Sequence, residues 1–481
     1  MASLHSPRAD AIRRLAAFSI ILLLSRYAAG IFAAFAPQYA IDFITQMESL
    51  RSTVARNAAF NILRGCAAAF AALALPHFLT RALSPPRFAA WSLMLQIAAY
   101  ASFLDFGLQT AVARFVAQAL ALEQADRRDR VIETALILLT IAAAVAFALM
   151  AVVIAAADHL FHGVPAPLLA EFQRAALLLS LGAALSLPLS AFSGVLLGMN
   201  RNDVPSLAIG GGRAVGVLLA ILAARHTQSL TVLAVCVAGA SVAGGLVQIP
   251  FARRLMPSLR GLRPWIDRAL LAELLRYCTG LTAWSLGLLI VSGIDLTLVA
   301  HFQFAAVGWY AVAASVIALM AGFNNSAINA LLAPQAALHA RGEHTRLASI
   351  LRRTTVWNSI FNLLLVVAAA LFGHAMLRLW VGEAYATRAL PVLIILAAAQ
   401  TIRLAAAPYC LMLIAAGEQN KGIPSGAIEA AVNLMASVWL GYTMGYIGVA
   451  WGTLIGAVAG IIAMLVYTVP RTYSALHLGQ I

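Results

Sequence analysis

The stretch GLLIVSGIDLTLVAHF, residues 287–302, holds one carboxylate, Asp295, inside an otherwise apolar run. With the residues before it, the run covers about 277–300. Some 20 apolar residues at 1.5 Å each match the roughly 30 Å hydrocarbon core of a bilayer. A carboxylate at the bilayer centre costs about 2.5–3.5 kcal/mol on insertion scales, so it needs a partner or a wet cavity. The stretch reads as a membrane span that keeps an acid for a reason.

The rest of the chain agrees with a membrane setting. Of 481 residues, 62% are hydrophobic and 10% charged, and the mean hydropathy is +0.90. A soluble domain has about 25% charged residues, so this chain cannot cover a water-facing surface. Its apolar segments have helix length and do not alternate like barrel strands. The fold class is an all-α polytopic integral membrane protein. Basic residues outnumber acidic ones, 32 to 18, but they are spread through short loops. That distribution speaks against a nucleic-acid partner. Cys66, Cys236, Cys278 and Cys410 sit in or beside apolar segments without a CxxC pair, as small fillers do.

Twelve core spans are expected: 57–80, 88–112, 131–157, 170–198, 204–224 and 230–250, then 277–300, 308–333, 355–373, 389–413, 424–442 and 447–467. An Arg-rich linker, 251–276, divides 57–250 from 277–481, and 1–56 form an extension. With residue 56 cytoplasmic, the inner loops carry seventeen Lys and Arg and the outer loops five. The positive-inside rule then places both ends of the core in the cytoplasm. Residues 15–36 are apolar enough to span except for Arg26. An extra helix, an interfacial helix and an over-extended start all remain open for them; a signal peptide lacks a convincing cleavage site.

The stretch from Ser102 is similar to the stretch from Leu319, an offset of 217 residues. Gln118 then meets Gln335, and Asp126 meets Glu343. Aromatic clusters at Trp91 and at Trp309–Tyr310 open the helix before each. Six spans per repeat keep the orientation, so the halves are parallel repeats, two six-helix bundles facing each other across a central cleft. A cleft that opens to either side is a carrier.

The chain resembles the O-antigen and exopolysaccharide flippases (Wzx type) of the multidrug/oligosaccharidyl-lipid/polysaccharide exporter superfamily. The likeness lies in the order of VARNAAFNILRG, FLDFGLQTAVARFVAQ, FSGVLLGMNRND, IDLTLVAHFQFAAVGWYAVA and LRLWVGEAYATRALPVLIIL over roughly 50–470. The extension before residue 50 departs from it. The resemblance implies a flippase in the bacterial cytoplasmic (inner) membrane. Its cargo would be a polyprenyl-pyrophosphate-linked oligosaccharide for surface polysaccharide, moved by alternating access. Membrane lipids, and glycosyltransferases and a polymerase of the pathway, are the implied partners.

Six charges fall inside spans: Arg64, Asp105, Arg213, Asp295, Arg403 and Glu429. Asp105 reads as structural, at the cytoplasmic half of span two. Given a pyrophosphate cargo, Arg64, Arg213 and Arg403 would bind it, since guanidinium offers forked donors to phosphate oxygens. Asp295 and Glu429 would either couple transport to an ion or hold an Arg between cycles. Gly448, Gly452, Gly456 and Gly460 place small residues on one helix face. Pro188, Pro391 and Pro408 inside spans predict kinks and freed carbonyls that need partners.

There is no GxxxxGK[ST] loop, no HExxH spacing and no readable nucleophile set, so neither a cofactor, a metal nor a catalytic residue is expected. A membrane glycan polymerase or ligase would carry a sizeable outer loop; here these loops run to about fifteen residues. A multidrug-type cation antiporter of the same superfamily is the closer rival, and three Arg against three acids do not exclude it. A non-transporting scaffold for glycosyltransferases is the third class.

Overall fold

The structure is a computed structural model. It describes residues 48–161, 163–261, 267–288, 293–329 and 331–473, so the apolar segment 15–36 lies outside the described residues. Every regular element among them is helical. Eleven stretches are long and apolar enough to cross a membrane.

The first helices are α1 (Glu48–Ala82), α2 (Pro85–Ala99), α3 (Leu108–Ala121), α4 (Ala125–Ala155), α5 (Ala166–Gly198), α6 (Asp203–His226) and α7 (Leu230–Leu255). After the linker come α8 (Arg268–Leu288), α9 (Asp295–Gln303), α10 (Val307–Asn329), α11 (Leu332–Ala340) and α12 (His344–Val381). The chain closes with α13 (Glu383–Ala415), α14 (Ile423–Met444) and α15 (Tyr446–Ala463). In the first group α5 packs on α2, α3, α4 and α7, while α6 lies between α1 and α7. In the second group α13 packs on α10, α12 and α15, and α14 lies along α15. The two hubs, α5 and α13, are the fourth and tenth of the expected spans. The helices of the two similar stretches, α2 and α10, pack on each other between the groups.

One span differs from the straight helix that hydropathy predicts. Span two breaks after Ala99 into a 3-10 turn, Tyr100–Asp105, and then passes through left-handed Phe106 (φ 52°) and Gly107 (φ 73°) before α3 begins. Glycine adopts that conformation freely, whereas a residue with a Cβ pays about 1–2 kcal/mol. The two together redirect the chain. Span seven is divided between α8 and α9, on either side of residues 289–292, which lie outside the described residues. Its first part, α8, sits between the groups, against α3, α4 and α14. Arg127–Glu273 at 2.9 Å and Arg130–Asp267 at 3.4 Å tie it and the residue before it to α4. Arg114 stands over the Tyr277 ring at 4.8 Å.

The groups also meet at the opposite end, here called the far end because it lies away from the linker. Trp380 Nε1 donates to the Leu73 carbonyl at 2.9 Å, and His77 Nδ1 donates to the Trp380 carbonyl at 2.5 Å. With Nδ1 carrying the proton, His77 Nε2 accepts from Arg81 at 3.0 Å. Phe88 and Tyr385 meet edge to face beside Gly308. A carrier must part these contacts to expose its other side. The Trp380→Phe variant removes one hydrogen bond, a loss of about 0.5–1.5 kcal/mol. It is expected to raise the reactivity of an introduced Phe88→Cys thiol toward an impermeant maleimide about two- to tenfold. The measurement uses a background lacking the four native cysteines.

The proline prediction holds at one position in particular. Pro408 lies inside unbroken α13 and frees the Leu404 carbonyl one turn earlier, which accepts from Asn358 Nδ2 of α12 at 2.5 Å. Asn358 Oδ1 accepts in turn from Asn324 of α10 at 2.5 Å. The glycine face is closely packed against α14. A Cβ at Gly456 would come within 2.5 Å of the Asn433 Cβ, and one at Gly460 within 2.7 Å of Glu429 Oε2. Lipid tails are as apolar as the side chains, so helix association rests on such close approach. Gly456→Val is expected to lower stability by about 1–3 kcal/mol, seen as a lower melting temperature and less protein in the membrane.

Candidate functional site

The carboxylate of the opening stretch stands at the first residue of α9, buried to 7% exposure. Its Oδ2 accepts from the Tyr310 hydroxyl of α10 at 3.1 Å and from Thr453 Oγ1 of α15 at 2.9 Å. Thr453 has one proton, and the Val449 carbonyl at 3.1 Å is its alternative acceptor. Asp295 Oδ1 is buried with no hydrogen-bond partner among the described residues. An ionised carboxylate prefers several donors, so this oxygen stands ready for another one. Beside the acid, Gly293 offers its carbonyl to Gln96 at 2.7 Å and to the Tyr100 hydroxyl at 3.0 Å. Tyr100 also bonds Thr297. The residues just before α9 are thus held by the end of α2 and the 3-10 turn of span two, across the two groups.

A second charged pair lies in the same group. Arg403 Nε of α13 donates to Glu429 Oε1 of α14 at 2.5 Å, with 17% and 18% of the side chains exposed. Arg403 is also near enough to Asp295 for its charge to act there. Arg403 is thus paired with Glu429, while Asp295 is held by two hydroxyls. The close approach of Gly460 to Glu429 fixes one side of this cluster. Below it on α14, Ser437 Oγ reaches Asn433 Oδ1 at 2.9 Å and the Val449 carbonyl at 3.3 Å. Among the described residues no group of three or more His, Cys, Asp or Glu is placed to hold a metal ion. The arrangement can offer the Arg403 guanidinium, held by Glu429, to an anion.

Residues 54–336, more than half of the chain, match the family described as polysaccharide biosynthesis protein. The chain belongs to that family. No curated protein matches it. Among solved structures this polysaccharide biosynthesis family member is similar to an inward-facing multidrug resistance MATE transporter of the MOP superfamily. The TM-score is 0.67 at 17% identity, over 86% of this chain and 98% of that one. It is similar to the lipid II flippase MurJ in an inward closed conformation, with TM-score 0.65 and 12% identity over 85% of this chain and 86% of that one. An outward-facing MATE transporter gives TM-score 0.56 at 18% identity over 87% of this chain and 98% of that one.

The structure brings three of the sequence-expected residues of this family member together: Asp295, Arg403 and Glu429. Arg213 lies in the other group, exposed on α6 one turn before Val217, which packs on Ala74 of α1. Arg64 is on α1, and its side chain lies outside the described residues. Asp105 closes the 3-10 turn Tyr100–Asp105, and its Oδ1 is buried without a hydrogen-bond partner among the described residues. Tyr310, Thr453 and the Asn324–Asn358 pair went unnoticed in the sequence as site residues. Tyr310 stood out only as a repeat marker, and Thr453 lies within the glycine series GVAWGTLIG. A hydroxyl costs little in a span, so it leaves no such signal as a charge does.

Proposed function

We propose that the chain is a flippase that moves polyprenyl-pyrophosphate-linked oligosaccharide across the bacterial cytoplasmic membrane for surface polysaccharide. The observation that carries this reading is a part-buried Arg held by a carboxylate of a neighbouring helix, in a transporter fold whose family is one of polysaccharide biosynthesis. Arg403 exchanges Glu429 for the cargo's pyrophosphate, and Arg64 and Arg213 add charge from the first group. Asp295 receives the proton or the guanidinium that resets the cycle. The oligosaccharide crosses in the wet cleft, and the polyprenyl tail stays in lipid. The Arg excess in the loops orients the linker end to the cytoplasm. Completed repeat units come from glycosyltransferases there and pass to a polymerase outside. The chemistry is translocation, with no bond made or broken.

The test is a clean deletion, followed by mass spectrometry of the lipid fraction. Completed lipid-linked oligosaccharide stranded on the cytoplasmic face, with surface glycan lost and both restored by the wild-type gene, is the expected result. Normal surface glycan without stranded lipid overturns it. The second reading, a cation antiporter, draws on the excess of acids over Arg in the cluster. It predicts altered efflux of cationic dyes instead.

A further inference from the structure

A cavity of about 480 Å³ opens at the far end between the last turns of α1 and α6, outside the buried charge cluster. Its walls are apolar, from Phe78, Ala82, Ile221 and Ala224. Its rim carries Arg81, Arg225, His226 and Gln228. The Arg225 guanidinium lies 6.0 Å from the centroid of the Phe78 ring, at the edge of cation–π range. No carboxylate among the described residues pairs with Arg81 or Arg225. The nearby acid is already engaged: Glu171 pairs with Arg87 at 2.9 Å and accepts from the backbone N–H of Leu230 at 2.7 Å. Arg378 and His374, on the last turns of α12, likewise have Glu383.

A cation in the last turn of a helix complements its dipole, and that accounts for one Arg on α1 and one on α6. It does not account for a cavity between them, nor for its apolar floor. Leu218 and Leu222 continue along α6 away from the rim as an exposed apolar surface, 48% and 52% exposed. The site is therefore charged where headgroups lie and greasy where chains begin. Arg binds phosphate oxygens by forked, charge-assisted bonds and sheds its water more readily than Lys.

We propose that this cavity binds the phosphate of an anionic amphiphile, on Arg81 and Arg225, with the start of its hydrocarbon chain against Phe78 and Ile221. Two sources share that chemistry: an anionic glycerophospholipid of the bilayer, and a polyprenyl phosphate. The site stands whether or not the flippase reading does, because a bilayer phospholipid satisfies it equally.

Native mass spectrometry of the purified full chain tests it, titrating phosphatidylglycerol, phosphatidylethanolamine and a polyprenyl phosphate in turn. The wild type is expected to retain one anionic lipid in preference to phosphatidylethanolamine. Arg225→Gln should weaken that retention about tenfold or more. Ile221→Trp, which fills the floor and keeps the charges, should weaken it too. Melting temperatures identify variants that fail to fold, and Arg81→Gln replaces any that does. Preference for phosphatidylglycerol assigns the site to bilayer lipid, and preference for polyprenyl phosphate assigns it to the carrier lipid. Equal retention of anionic and zwitterionic lipid, or retention unchanged in the folded variants, overturns the proposal.

Discussion

Arg403→Ala is expected to deplete the protein from the membrane and to abolish export. Glu429 is left without its cation, and breaking a buried pair from one side costs about 3–5 kcal/mol. Such a loss is a large part of the 5–15 kcal/mol that separates a typical fold from its unfolded chain. Removing both charges relieves the orphaned acid, so Arg403→Ala/Glu429→Ala should recover most of the protein level. Export should not recover, because the guanidinium proposed to meet the pyrophosphate is still missing. Protein level by immunoblot and surface polysaccharide by gel separate the two effects. Wild-type export from a well-folded double variant would remove Arg403 from the cargo route and leave it a structural ion pair.

Asp295→Asn is expected to spare the protein level and lower export about tenfold or more. The amide oxygen still accepts from Tyr310 and Thr453, and the shape is unchanged. What disappears is the charge beside Arg403. A hydrogen bond to a charged group contributes about 1.5–3 kcal/mol, and 1.4 kcal/mol is a factor of ten. Normal surface polysaccharide at normal protein level would exclude a coupling role for this acid. Asp295→Leu, which also strands the Tyr310 hydroxyl, is expected to reduce the protein level as well. The contrast between the variants isolates the charge from the packing.

Much of the site was visible as a set of misfits. Asp295, Arg403 and Glu429 were each conspicuous in the sequence because an ionised group inside an apolar segment needs explaining one residue at a time. Their grouping was not visible. Arg403 and Glu429 are 26 positions apart on different helices, and Asp295 meets Thr453 across 158 positions. Arg213 stood out for the same reason as Arg403, yet it sits on α6 in the other group. Asp105 looked like a helix end, and it lies at the end of the 3-10 turn that interrupts span two. Hydropathy ran span two straight through residues 100–107, because a left-handed Phe106–Gly107 step scores as apolar as a helical one.

The membrane class, the order of the spans and the choice of which charges need an explanation came from the amino-acid sequence alone. Each depends on whether about twenty neighbouring residues prefer lipid to water, and that preference is local. Which cation meets which acid, which hydroxyls hold Asp295, and where span two breaks were settled by the tertiary structure. Those outcomes depend on the rotation and close approach of helices distant in the chain. A separation of a few ångströms across a glycine face decides them, and no local preference encodes it.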